Sequence, residues 1–534
     1  MIDYSKKRFL VVDDFSEFRT SVTGMLRLMA VKNVDAAARG EEAIAMCRNT
    51  AYDVILHDYN LGAGKNGQQV LEELHHAGLI SPHCIFVMCT AESSQAMVMS
   101  ALECEPDAYL TKPFNRASLQ QRLDKLVERK LALKPILDAQ AKRDQNAVLA
   151  ACEQIMASNK RFAPQCLRHK AGALKALGKH AELEALLTGL IADRPMPWAL
   201  VMLGNHWLER GELDRAEEIF TSAIRQFPML PALFDGLAAV HAARGATDKA
   251  QEYLEQGLRI SPNSLQRQHD LGKLAKANGD YEKAIRAFRQ AVDLGRHSQF
   301  RNPDDHLDLA ASLNEQAGDS APAPKALLEI RQTLGDLGKT WKDDAQLVAR
   351  ANLLHASALA KTGDQTTADK LVAEASTLMA DLPTFFSADV ALEVATQLKQ
   401  LGREEQAEAV LSTCAEMYGD DAKVMDAIAG QTSNPRILNA GVQAQTLNRE
   451  GIQAYQQQAF PQALELFRQA RELQPRNISF ALNTAQSLLR LLLSEPSAEL
   501  KAECQQCLAQ VSTIPVTDPR HARYEKLCKT VASL

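Results

Sequence analysis

From the start of the chain to about position 130, short apolar runs alternate with segments whose apolar side chains return every three or four positions. This is the pattern of parallel strands joined by covering helices. The runs predict strands at 9–12, 31–35, 54–56, 85–88 and 108–110, each followed by a polar or glycine-containing turn. From Asn115, the spacing of Leu119, Leu123, Leu126, Val127 and Leu131 predicts a last helix that runs to just before Pro135, with no flexible linker after it. Beyond it the pattern changes to a longer repeat, in which whole groups of apolar and small residues recur. One unit carries Leu203, Gly204, Trp207, Gly211, Ala216, Phe220, Ala223 and Pro228. The next keeps phase with Leu237, Ala238, Gly245, Ala250, Leu254, Gly257 and Pro262, and a third with Leu271, Gly272, Gly279, Ala284, Phe288 and Ala291. A weaker copy precedes them with Ala171, Leu174, Gly178, Leu187 and Pro195.

The polar residues that carry chemistry stand at the ends of the predicted strands. Asp13 and Asp14 follow the first, Asp58 the third, Thr90 the fourth and Lys112 the fifth. In an open parallel sheet these positions meet along the carboxyl edge, where ligands bind. Three carboxylates gathered there repel by roughly 4 kcal/mol per pair at 4 Å and an effective dielectric of 20. A divalent cation offsets that repulsion, and hard oxygen donors suit Mg²⁺, so Asp13, Asp14 and Asp58 form the expected metal site.

The acidic pair in FLVVDD, Asp58 in VILHDYNL, Thr90 and Ala91 in VMCTAES, and Tyr109, Lys112 and Pro113 in AYLTKPF resemble the receiver domain of bacterial two-component response regulators. The resemblance covers about a quarter of the chain. It implies a doubly wound, flavodoxin-like α/β fold with five parallel strands in the order 2-1-3-4-5, for which the chemotaxis receiver is the standard example. It further implies Asp58 as phosphoacceptor, Lys112 and Thr90 as its catalytic partners, and the Asn60 backbone carbonyl as a further Mg²⁺ ligand. Thr90, Tyr109 and Pro113 would form the switch: Thr90 moves toward the phosphoryl group, Tyr109 turns inward, and the fourth helix, fifth strand and fifth helix respond. The Lys112-Pro113 peptide is expected to be cis.

One stretch departs from that pattern. Where the family usually has a Pro and a Gly after the phosphoacceptor, this chain reads GAGKNG from Gly62 to Gly67, one residue longer. The same letters spell a dinucleotide fingerprint, which fails because the first strand's turn carries two aspartates and no ribose-binding acid follows.

The later units resemble tetratricopeptide repeats, whose period is about 34 residues. Small residues such as Gly204 and Ala216 let paired helices approach, Trp207 and Phe220 act as spacers between pairs, and Gly211 and Pro228 end the helices. Single units cannot bury their apolar faces, so the expected fold here is an all-α solenoid with a concave groove for a protein ligand. The boundaries read as a receiver over 1–130, a connecting helix and half repeat over 131–163, and a solenoid over 164–430 that is regular to about 296 and then degenerate. A final unit, with Gly451, Ala463, Phe467, Ala470 and Pro475, and capping helices fill 440–534.

Composition narrows the function. A net charge of −6 gives no basic field for nucleic acid, and no basic recognition motif follows the receiver. The four-residue apolar run near the start is too short for a signal peptide or membrane span, so a cytoplasmic location is expected, with no membrane partner. Ten cysteines without regular spacing read as reduced. Cys504 and Cys507, with Cys528, lack a fourth ligand for zinc, and His75 and His76 read as a solvated helix face. Glu184, Ala185 and Leu186 match a phosphodiesterase signature only as letters, inside a repeat helix. No separate catalytic output is expected. The sequence therefore predicts a response regulator that takes a phosphoryl group from a histidine kinase or phosphotransfer protein and uses its repeats for protein binding. The alternative is a phosphorelay intermediate or phosphate sink whose repeats only dock the donor.

Overall fold

The computed structural model describes residues 2–62, 64–91, 105–318, 320–380, 387–439, 441–514, 516 and 518–532. Its chain divides into two compact units, Met1–Ser312 and Leu313–Leu534. The first unit opens with β1 (Arg8–Val12), α1 (Ser16–Leu28), β2 (Asn33–Ala37), α2 (Gly40–Asn49), β3 (Val54–Asp58), α3 (Gly67–His76), β4 (Ile85–Thr90), β5 (Ala108–Thr111) and α4 (Arg116–Ala132). The strands are parallel in the order β2-β1-β3-β4-β5. The helix expected between the fourth and fifth strands falls on residues outside those described.

Alternation along the strands decides which helix covers which face. Phe9, Val11, Leu56, Val87 and Leu110 share a core with Val22 and Leu26 of α1 and Leu119, Leu123 and Leu126 of α4. Their neighbours Leu10, Val12, Ile55, Phe86 and Met88 point the other way, onto Ile44 of α2 and Val70, Leu71 and Leu74 of α3. Strands buried on both faces are continuous apolar runs for this reason. One strand lies two residues later than its apolar run suggested. Val31 belongs to the turn closing α1, where its N–H donates to Leu26 O and its side chain joins the first core, so β2 starts at Asn33.

The helix after β5 ends at Ala132, as the pattern before Pro135 required, and α5 (Lys134–Ala141) starts at once with Pro135 in its first turn. Next come α6 (Gln145–Ser158), α7 (Ala163–Ala176), α8 (His180–Asp193), α9 (Pro197–Glu209), α10 (Leu213–Gln226), α11 (Pro231–Ala243), α12 (Thr247–Ile260), α13 (Leu265–Ala277) and α14 (Tyr281–Gly295). Gly211, Gly245 and Gly279 separate the two helices of successive pairs with φ of 75°, 75° and 74°, a left-handed turn that recurs once in each repeat.

Phe220 is fully buried, and its ring lies where a Cβ on Gly204 or Gly236 would stand, at 2.4 Å in each case. One ring thus spaces a helix pair from the next. Phe288 meets Gly272 in the same way. Trp207 is only partly buried, packs against the cores on both sides, and lies under the Arg215 guanidinium at 4.1 Å.

In the second unit, helical pairs at Ala345–Lys361 with Gln365–Ala380, Ala388–Gln400 with Glu404–Tyr418, Val442–Gln456 with Phe460–Leu473, and Ile478–Ser494 with Ala498–Gln510 follow one another. Leu353, Ala375, Ala395, Leu411, Ala481 and Leu508 contribute to one extended core. Cys504 and Cys507 are buried in it, with burial raising both thiol pKa values, to about 12 and about 11. That leaves them as protonated packing groups. No described helix is long and apolar enough to cross a membrane.

Candidate phosphoacceptor site

Each residue of the site is placed by the last position of a strand or the turn after it. β1 delivers Asp13 and Asp14, β3 delivers Asp58, β4 delivers Thr90, and β5 delivers Lys112. Asp13 is 1% exposed and Asp58 8%, while Asp14 faces solvent. The three carboxylates bring oxygens within 4.8 Å of one another. Hard, anionic oxygens at this spacing, two of them buried, fit a small divalent cation such as Mg²⁺.

Lys112 sets the electrostatics. Its Nζ donates to Asp13 Oδ2 at 2.5 Å and pairs with Asp58 Oδ1 at 3.1 Å, and it lies 4.1 Å from the centre of the Phe18 ring. Burial pushes the Asp58 carboxyl up from its ordinary range against the pull of Lys112. For Lys112 burial works against the ammonium, yet the hydrogen bond to Asp13 and the Asp58 charge outweigh it and raise the pKa. The ammonium thus holds together two acids that would otherwise repel. Thr90 is buried beside them, and its carbonyl accepts from Lys112 N–H at 2.7 Å. Lys112-Pro113 is cis. Tyr109 is partly buried against the α2–α3 side of the sheet.

Two supports escaped the sequence reading. His57 is fully buried between strands, stacks on Phe86, and has its pKa pushed down to about 4 by burial. The neutral ring bonds through Nδ1 to the Asp58 carbonyl at 2.6 Å, fixing the end of β3. Asp13 is fixed in turn: its Oδ1 accepts from Phe15 N–H and its carbonyl from Arg19. His57 looked like one more member of an apolar run, and Arg19 is an ordinary helix residue in the sequence.

The loop from Tyr59 to Gly67 is tied to the site at both ends. Tyr59 N–H donates to Cys89 O, and Gly67 N–H returns to Tyr59 O at 2.8 Å. A Cβ on Gly67 would lie 2.6 Å from Asp58 O, so only glycine permits this close return. Asn66 and Gln69 form a reciprocal capping box that starts α3. The letters GAGKNG are therefore a loop closure and helix cap. Asn60 Oδ1 accepts from Gly62 N–H within it.

Residues 9–124 match the response regulator receiver domain, and residues 201–264 and 265–295 match tetratricopeptide repeats. The chain is 32% identical over 122 residues to chemotaxis protein CheY-3 of Vibrio cholerae, covering 23% of this chain and 92% of that protein. It is 28% identical to chemotaxis protein CheY of Pseudomonas aeruginosa, covering 23% and 97%. Among solved structures, the CheY-like receiver domain protein of Methanospirillum hungatei is 27% identical with a TM-score of 0.22, covering 23% of this chain and 95% of that one. The chain belongs to the response regulator receiver family. Behind its receiver it carries tetratricopeptide repeats.

Proposed function

We propose that this protein is a phosphorylation-controlled response regulator in which Asp58 accepts a phosphoryl group and the repeats bind a protein partner as output. The observation that carries this reading is the Lys112 ammonium held between Asp13 and Asp58 at the carboxyl edge of the sheet. An Asp58 carboxylate oxygen attacks the phosphorus of a phosphohistidine. The P–N bond breaks, its electron pair leaves with the imidazole, and a P–O bond to Asp58 forms. Lys112 neutralises charge gathering on the phosphoryl oxygens, and the Thr90 hydroxyl donates to one of them. Asp13, Asp14, Asp58 and the Asn60 carbonyl would hold Mg²⁺, which supplies positive charge to the same oxygens. Thr90, Tyr109 and Pro113 carry the change of state onward.

The test is labelling of the full chain by acetyl phosphate with Mg²⁺. We expect incorporation in the wild type and none in Asp58→Ala; persistent labelling of the variant would sink the assignment. The phosphorelay or phosphate-sink alternative is separated by mixing the phosphorylated chain with a histidine phosphotransfer protein. Efficient return of the phosphoryl group, with no effect on partner affinity, would favour it.

A further inference from the structure

The loop that follows Asp58 does more than close on itself. Lys65 Nζ donates to the His297 carbonyl at 2.5 Å, and Gln69 Nε2 donates to the Leu294 carbonyl at 3.0 Å. His76, at the other end of α3, meets the Phe300 ring edge to face at 6.2 Å. Leu294 belongs to the last turn of α14, in the third repeat, and His297 and Phe300 follow it. Carbonyls at a helix C-terminus lack intrahelical donors and carry partial negative charge. Here the receiver supplies an ammonium and an amide to that end of the helix.

We propose that the Tyr59–Gly67 loop and α3 form a clasp on the third repeat, and that phosphorylation of Asp58 opens it. This inference rests on the phosphoacceptor role given to Asp58 above.

Three features make the clasp sensitive to Asp58. First, the loop's two ends are held together at Asp58, because Gly67 N–H donates to Tyr59 O and Gly67 packs on Asp58 O without a Cβ. A phosphoryl group brings about −1.5 to −2 charges and three acceptor oxygens to the residue on which the loop hangs. Second, Lys65 is also fixed inside the receiver, pairing with the buried Glu73 at 3.1 Å, and its N–H donates to Glu41 at 3.1 Å. Its ammonium therefore moves with the loop and α3. Hydrogen bonds weaken steeply with misalignment, so a small displacement is enough to lose both. Third, polar groups of both segments face an open cleft. A cleft of about 660 Å³ opens beside it, lined by Asn60, Gln68 and Glu72 of the receiver and by Ser264, Gln266 and Phe300 of the repeats. Hydrogen bonds beside solvent each contribute modestly, so a modest bias can shift them.

This route is distinct from the chain connection through α4 and α5, which follow one another directly.

The test is amide hydrogen exchange of the full chain over residues 293–301, with and without acetyl phosphate and Mg²⁺, with phosphoryl occupancy read on the same samples by intact mass. Lys65→Ala should raise exchange there by about tenfold without phosphodonor, the equivalent of one lost charge-assisted hydrogen bond. Phe300→Ser, which leaves every receiver residue in place, should raise it in the same direction. Phosphorylation of the wild type should match these increases and add little to either variant. Unchanged exchange in both variants overturns the contact. Phosphorylated wild type with unchanged exchange overturns the clasp as a switch while sparing the phosphoacceptor. Absence of phosphoryl incorporation overturns both, and the mass readout tells these failures apart.

Discussion

Lys112 links the acids of the site through one side chain. It is the ammonium paired with both Asp13 and Asp58, two largely buried carboxylates. Removing one partner of a buried charge group leaves the rest uncompensated, at a cost of about 3 kcal/mol. Lys112→Met should therefore lower stability in urea by that order and recover part of it on addition of Mg²⁺; a variant as stable as wild type would contradict the pairing. A second residue gives a pH signature. His269 Nδ1 and Asp305 Oδ1 lie 2.5 Å apart, both buried, and the hydrogen bond to Asp305 raises the His269 pKa against desolvation. Lys273 opposes this shift and Asp270 supports it. Because the folded pKa lies above the unfolded value of about 6.5, the pair's stabilisation is complete below that pH. It is lost as pH rises through the folded pKa. Equilibrium unfolding should show stability falling across that window in the wild type, and the slope should flatten in His269→Gln. Asp13, Asp58, Thr90 and Lys112 were legible in the sequence because each ends an apolar run. His57, Arg19 and His269 were not, since a buried polar partner inside a helix or strand leaves no mark on a hydrophobic pattern.

Among the elements, the helix pairs depend on a ring and the absence of side chains opposite it. Phe220→Ala should cost about 3–5 kcal/mol, the range for emptying a buried aromatic site. Gly204→Ala should cost about 1–3 kcal/mol by overpacking against the same ring. Combining the two should give less than the sum, because the smaller side chain makes room for the new methyl group; strict additivity in thermal unfolding would argue against this spacing. The regular period made these pairs legible, with Gly211, Gly245 and Gly279 marking each turn. Phe220 and Trp207 both read as spacers, and the structure shows them differently engaged: Phe220 fills the interior while Trp207 stays partly exposed beneath Arg215. Pattern alone did not separate them, since both are aromatic residues at repeat positions. Along β2 the apolar run misled by two residues, because Val31 packs its side chain from a turn.

For the whole molecule, the described strands are confined to the start of the chain. A receiver of about a quarter of the chain precedes helices that continue to Ala532. What no periodicity could disclose is the contact between sequence-distant segments, Lys65 and Gln69 with residues 294–297. It joins backbone carbonyls, which have no residue signature, to a lysine and a glutamine that look like ordinary surface residues. In the proposed switch, the state of Asp58 is felt in the repeats. The most direct measurement titrates the full-length chain with acetyl phosphate in Mg²⁺ and plots hydrogen exchange over residues 293–301 against phosphoryl occupancy. Exchange should rise in proportion to occupancy in the wild type and stay flat in Asp58→Ala. Occupancy that climbs while exchange stays level, or a response that persists in Asp58→Ala, would contradict it.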